Sequence, residues 1–446
     1  MSSLFFKAAG RPQIPAVRWP AAVVLAALLG ALSNVAFAFD APLTLEEATR
    51  LAVERSRLLA AKDLASQASR EMAVAAGRLP DPVLKIGLDN LPINGPDQFS
   101  TTRDFMTQRR IGLMQDLTRA DKRQLRTERY EREAEKSAAE KAAASAAIQR
   151  DTAMAWLARS YAEAMASAVS EQAAQAKLEV QAAEAAYRAG RGTQADLFNA
   201  RSALVAFDDR ASEIRGSIAD ATIKLARRVG DAAQRPLADK PATSAVRLDP
   251  ATLEIQLADH PNIAVLNKQE EIGATEAKLA RADKKADWTV EVAFQQRGQA
   301  YSNMVSLGVS VPLQWNQKNR QDRELASKLA QVEQAKAERD DALLERVAEV
   351  RAMLNEWHTR RERHTRYERE LVPLAQSRSA AQLAAYRGGK AALADVLAAR
   401  NAELAVRLEA LQLEAEAAQL WAQLNFVFPQ DSRPAHSVAR MYKDPK

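Results

Sequence analysis

Side chains able to do chemistry are thinly spread along this chain. Its four histidines, His260, His358, His364 and His436, stand apart, and there is no cysteine. His358 and His364 lie six residues apart, whereas two imidazoles grip a metal from one helix face at a spacing of four. Without thiolates no Cys-based zinc or iron–sulfur set can be assembled. Met106 and Met114 offer soft sulfur atoms, but lone methionines serve packing equally well. No nucleophile–base pair and no phosphate-cradling loop stands out. The residues therefore point to neither an enzyme nor a resident metal or cofactor. Two aspartates do form a pattern: Asp196 and Asp395 each follow a glycine, Gly190 or Gly389, by six residues. Several copies of such an acid around one axis would make a cation-attracting ring. The alternative is an acid that serves only the positive end of its own helix.

The surroundings of the two aspartates are copies of one another. Ala186–Arg201 and Ala385–Arg400 align without a gap, with 8 of 16 positions identical. In each copy a glycine beside a basic residue interrupts a long helical pattern, as expected where a helix ends in a left-handed residue. Each copy thus reads as the tip of a helical hairpin, and the chain as an internal duplication. Thr193 stands where it can complete a capping arrangement with Asp196; Ala392 stands at the matching place before Asp395, so capping explains that acid less well. Tyr187 and Tyr386 precede the glycines, placed either to bond a neighbouring hairpin or to pack in the seam.

The composition suits such hairpins. Of 446 residues only 15 are Gly and 17 Pro, aromatics are 5% and charged residues 27%. Ala, Glu, Lys, Arg, Gln and Leu at this density favour long helices. The net charge of +6 is finely interleaved along them, which describes solvated faces and argues against a nucleic-acid patch. Residues 1–38 carry Lys7, Arg11 and Arg18, an apolar run Ala21–Leu32 and the small-x-small site Ala36-Phe37-Ala38, the layout of a secretory signal peptide. Its removal leaves +3, and no later stretch is apolar enough to cross a membrane as a helix.

The mature chain is expected as a first repeat (39–230), a linker (231–250), a second repeat (251–428) and a polar tail (429–446). Each repeat begins with a helical segment, the first opened by Thr44 as N-cap and stopped at Gly77 and Pro80. Each then changes period. Leu84, Ile86 and Leu88 alternate with Lys85, Gly87 and Asp89. A second, less clean run through Ile111-Gly112-Leu113 to Leu117 is interrupted by Arg109 and Arg110, and its start is not defined. In the second repeat Trp288, Val290, Val292 and Phe294 alternate with Thr289, Glu291, Ala293 and Gln295, and Val305 to Leu313 alternates again. From Leu113 to Ala189 there is neither Gly nor Pro. A helix from near Lys122 to Arg188 would span about 100 Å. The return is a heptad seam: Leu197, Leu204, Ala211, Ile218 and Leu225, with Ala200, Phe207, Ile214 and Ala221 between them. The second long helix carries Pro373, which predicts a kink.

Four strands with one greasy and one polar face cannot close alone, and an open edge is forbidden in lipid. Several chains must then share one barrel that is wet inside, with the helices continuing the tube. This order resembles the TolC-type outer-membrane efflux proteins. The resemblance is carried by the Tyr-x-x-Gly-x-x-x-x-x-Asp tips at Tyr187–Asp196 and Tyr386–Asp395 and by the strand-to-helix passage Gln115–Arg123, and it covers about residues 43–429. It implies an α+β, TolC-like fold in which long antiparallel coiled-coil helices form a periplasmic α-barrel. Four strands per chain would build a twelve-stranded outer-membrane β-barrel in a homotrimer. The stretch Asp89–Pro96 with Thr102–Met106 is similar to the heavy-metal branch, the cobalt–zinc–cadmium and copper/silver exporters. The resemblance further implies a passive outer-membrane channel of a tripartite cation efflux system. Its partners would be a periplasmic adaptor (membrane-fusion) protein, an inner-membrane RND proton/cation antiporter and outer-membrane lipid. Gly190, Arg191 and Gly192, with Gly389, Lys390 and Ala391, match the tips that meet the adaptor; Asp196, Asp395, Tyr187 and Tyr386 match the aperture. Family members with an acid three residues after the tip Asp are matched here by Asn199 and Ala398, so this aperture is expected to be less acidic. The rivals are the same channel serving organic drugs or a secreted polypeptide, and a periplasmic coiled-coil scaffold without a pore.

Overall fold

The computed structural model describes residues 41–190 and 192–430. The expected signal peptide, Arg191 and residues 431–446 of the expected tail lie outside the described residues. The chain runs α1 (Leu45–Glu54), α2 (Arg57–Ala76), β1 (Val83–Asp89), β2 (Gln108–Leu117), α3 (Ala120–Arg188) and α4 (Gln194–Val229). It then repeats: α5 (Leu253–Ala258), α6 (Pro261–Ala282), β3 (Trp288–Gln296), β4 (Met304–Ser310), α7 (Gln321–Arg366), α8 (Val372–Arg387) and α9 (Leu393–Asn425). Thr44 caps α1 as expected, its hydroxyl accepting the Glu47 N–H at 3.1 Å. The first helical segment is nevertheless two helices, because Ser56 caps a second start, accepting from Leu59 N–H. Pro261 likewise begins α6 instead of lying inside one helix, with His260 as its N-cap. Proline is well placed there, since a first-turn N–H has no partner in its own helix.

The four strands make one antiparallel sheet in the order β1-β2-β3-β4. Its register sets Ile86, Ile111, Phe294 and Val305 in one row and Leu84, Leu113, Val292 and Leu307 in the next. This face is bare: Ile86 is 75% exposed, Leu307 80% and Val305 67%. The second strand starts at Gln108, so Arg109 and Arg110 belong to it and do not interrupt it. Beneath the sheet four helices lie in the same order. Ser66 Oγ of α2 donates to the Ala134 carbonyl of α3 at 3.1 Å. Arg129 of α3 meets Glu276 of α6 at 3.0 Å, and Lys328 of α7 meets the same Glu276 at 2.7 Å. Lys122, 3% exposed at the foot of β2, joins strand ends to helices through Asp287 at 3.0 Å and Asp283 at 3.3 Å. Both layers are thus open arcs, one edge formed by α2 and β1 and the other by α7 and β4.

The helix α3 has 69 residues, about 100 Å at 1.5 Å per residue, and carries the first hairpin to the far end of the molecule. The seam of α4 is as the heptads require, with Ala200, Phe207, Ile214, Ala221 and Leu225 buried. The second long helix is broken by a π-helical turn at Tyr367–Leu371, just before Pro373 near the start of α8. A proline cannot donate its i→i−4 bond and its ring crowds the previous turn, and widening that turn relieves both. Residues 231–250 are more than a connection. Leu237 forms a parallel bridge with Leu43, Lys240 pairs with Glu414 at 3.0 Å, and Leu248 is buried. Trp156 Nε1 donates to the Leu43 carbonyl at 3.0 Å and Trp421 Nε1 to that of Ala245 at 2.9 Å. The segment is a strap holding the two repeats together midway along the helices.

Candidate functional site at the hairpin tips

At the first tip Gly190 has φ +68°, its N–H donating to the Tyr187 carbonyl at 3.0 Å, while Gly192 N–H donates to Ala186 at 3.1 Å. At the second, Gly389 also has φ +68°; its N–H donates to Tyr386 at 2.9 Å and Lys390 N–H to Ala385 at 2.8 Å. A Cβ added to either Gly190 or Gly389 would meet nothing within 4 Å. The backbone conformation alone demands glycine there.

Both tip aspartates are engaged at their own helix ends. Asp196 Oδ2 accepts from the Thr193 hydroxyl at 2.6 Å and from the Thr193 N–H at 3.0 Å. Asp196 N–H in turn donates to Thr193 Oγ1 at 3.1 Å, a reciprocal capping box. The hydroxyl and then the backbone donor hold the Asp196 carboxyl below its usual range. Asp395 makes half of that box, accepting the Ala392 N–H at 3.1 Å. Capping therefore explains Asp395 better than the missing hydroxyl at Ala392 suggests, because the backbone donor suffices. Asp395 is exposed and Asp196 half-buried, as are Lys390 and Ala391 respectively.

The two tips pack on one another. Ala183, Leu197 and Ala200 of the first hairpin share a core with Leu393, Val396 and Leu397 of the second, and Tyr386 packs against it. Tyr187 is 46% exposed and stands outside that core. The copies also differ in charge. Arg201 pairs within its own hairpin with Glu184 at 2.8 Å. Leu383 occupies the place of Glu184 in the second copy. Its arginine, Arg400, instead crosses to Glu179 of the first hairpin, both side chains being 15% exposed or less. Arg407 and Glu171 repeat the crossing at 2.8 Å.

At the opposite end the polar face of the sheet carries a cluster that residue spacing alone does not reveal. Glu291 meets Lys85 at 2.9 Å and also Arg110, which lies 4.0 Å from Asp89. Gly112 leaves the space between strands: a Cβ there would come within 3.0 Å of Ala293 Cβ. The available signal was phase, since Arg110 shares a face with Gly112 and Met114 and alternates with Ile111 and Leu113. Among the described residues no group of three or more His, Cys, Asp or Glu is disposed to hold a metal, and no helix is long and apolar enough to cross a membrane.

This arrangement, a four-stranded sheet on long helical hairpins given twice, is the fold of the TolC-like outer-membrane channels. The chain is similar to the outer-membrane channel OprN (TM-score 0.72, 16% identity, covering 86% of this chain and 89% of that one). It is also similar to the outer membrane protein VceC from Vibrio cholerae (0.69, 19% identity, 86% and 95%). CusC, described for its transmembrane channel formation, gives 0.72 at 15% identity, with 85% and 92% covered. No curated protein sequence matches the chain. Residues 254–428, within the expected second repeat, match the family model of the outer membrane efflux proteins.

Proposed function

We propose that this chain is the outer-membrane channel of a tripartite heavy-metal cation efflux system, a passive, gated conduit closed as a homotrimer. The observation that carries the channel reading is the sheet, which among the described residues has no strand beyond β1 or β4 and is bare on its apolar face. In lipid such edges must pair, and among the described residues the partners with matching geometry are β1 and β4 of sister copies. The apolar band is bounded by Trp288 and Trp315 at the helical end, 55% and 85% exposed, and by Arg109 at the loop end, as a membrane-spanning barrel requires. Three copies of four strands give the twelve-stranded barrel of the resemblance, with the helices extending into the periplasm. The pore-free scaffold leaves this face without a purpose.

Gly190, Arg191, Gly192, Gly389, Lys390 and Ala391 then form the surface offered to the periplasmic adaptor, which links the channel to an inner-membrane RND antiporter. Asp196 and Asp395 stand at the aperture, Asp395 with the more open carboxylate. Support for a metal cargo is the stretch Asp89–Pro96 with Thr102–Met106, which forms the loop between β1 and β2. In a strain lacking the protein, tolerance to cobalt, zinc, cadmium and copper should fall while drug tolerance is kept. Loss of drug tolerance alone would transfer the chain to the organic-compound exporters. The purified protein should also conduct in planar bilayers; a silent bilayer would refute the channel.

A further inference from the structure

Midway along the helices, far from tips and sheet, α3, the start of α6, α7 and the end of α9 enclose a cleft of about 600 Å³. That size suits a small organic molecule. Its polar lining consists of Arg150, His260, Arg346, Glu349, Asn262 and Gln423, and its apolar wall of Met353, Phe426, Val427 and small alanines. His260 is only 6% exposed. Its Nδ1 accepts the Asn262 N–H at 3.1 Å, so the neutral ring carries its proton on Nε2, and among the described residues Nε2 makes no hydrogen bond. Its ring edge leans on Phe428, centroids 5.9 Å apart.

The cationic groups here are only partly neutralised. Arg346 binds Glu349 through one guanidinium nitrogen at 3.0 Å, leaving donors of its planar fork. Arg150 shares Asp151 with Arg228, at 2.9 and 2.8 Å, so that trio holds an uncompensated positive charge. Both Arg346 and Arg150 act on His260: burial first, then these two charges, lower its pKa to about 4. An anion placed among them would balance the two guanidinium charges and accept from the neutral ring's Nε2–H.

We propose that this cleft binds an organic anion, a carboxylate on a compact apolar body, with the carboxylate on Arg150, Arg346 and His260 Nε2 and the body against Met353, Phe426 and Val427. The apolar wall is why an organic anion is preferred to a bare oxyanion, which would leave Phe426 and Met353 unused. The test is calorimetric titration of the detergent-purified full chain with benzoate and with inorganic phosphate. Benzoate should bind saturably at one site per chain, and phosphate more weakly. Arg346→Gln should weaken benzoate by about tenfold or more, the worth of a charge-assisted hydrogen bond. Ala352→Trp, an exposed rim position, should block binding by filling the cleft with every charge retained. Unchanged unfolding temperatures would show both variants folded. No saturable heat, binding untouched in both folded variants, or phosphate binding as tightly as benzoate would overturn the proposal. The readout is independent of conductance, so it stands or falls apart from the channel reading.

Discussion

At Gly190 and Gly389 space is plentiful and only the positive φ is restrictive, so substitution acts through backbone strain. Gly389→Val should destabilise its turn by about 1–3 kcal/mol and abolish crosslinking to the adaptor while leaving the outer-membrane trimer intact. Undiminished crosslinking would remove the tips from docking. The neighbouring caps form a matched pair. Thr193→Ala should loosen the first tip by about 1 kcal/mol, and Ala392→Thr should tighten the second by supplying the missing hydroxyl. Hydrogen exchange at the starts of α4 and α9 reads both. His260 predicts a pH dependence. The folded state favours its neutral form, so its contribution is complete above the ordinary value of 6.5 and is lost as pH falls toward about 4. That loss amounts to about 3 kcal/mol at most, and His260→Asn, which keeps an N-cap, should flatten thermal stability over that window. Thr44, Thr193 and the tip glycines were legible in the sequence because capping is local chemistry. His260 was not: it was one of four scattered imidazoles until α3 and α7 brought Arg150 and Arg346 beside it.

Among the elements, duplicated parts do unequal work. The first long helix is continuous over 69 residues, whereas the second is relaxed by a π-turn before Pro373. The two hairpins are tied by Arg400 and Glu179, while the second copy has Leu383 where Glu184 holds the first copy's Arg201. Removing one partner of a well-buried pair leaves a charge stranded, at a cost of about 3 kcal/mol, while an apolar replacement of both is tolerated. Arg400→Leu should therefore speed hydrogen exchange near the tip of α9, and Arg400→Leu with Glu179→Leu should restore it. Equal exchange in the single and double variants would deny the tie. The strands were readable from alternation and α4 from its heptads, since both are periodic signals. The strap at 231–250 escaped because its reasons lie elsewhere in the chain: Lys240 pairs with Glu414, Arg247 N–H donates to Asn425 Oδ1 and Leu237 bridges Leu43. Arg109 and Arg110 misled for a related cause: Arg110 is satisfied by Glu291, 181 residues away.

On the scale of the whole molecule, two open arcs share their free edges, α2 with β1 and α7 with β4, and among the described residues nothing pairs with either strand edge, as in a fraction of a ring. A head-to-tail interface of this kind closes when the rotation per copy divides the circle. The resemblance implies three copies; in the proposed ring the greasy face would meet lipid, Lys85, Arg110 and Glu291 would line water, and the hairpin tips would converge. Native mass spectrometry of the protein extracted from outer membranes in mild detergent tests this most directly. The account predicts a particle of three chains; a monomer that keeps its sheet folded in the same detergent would contradict it.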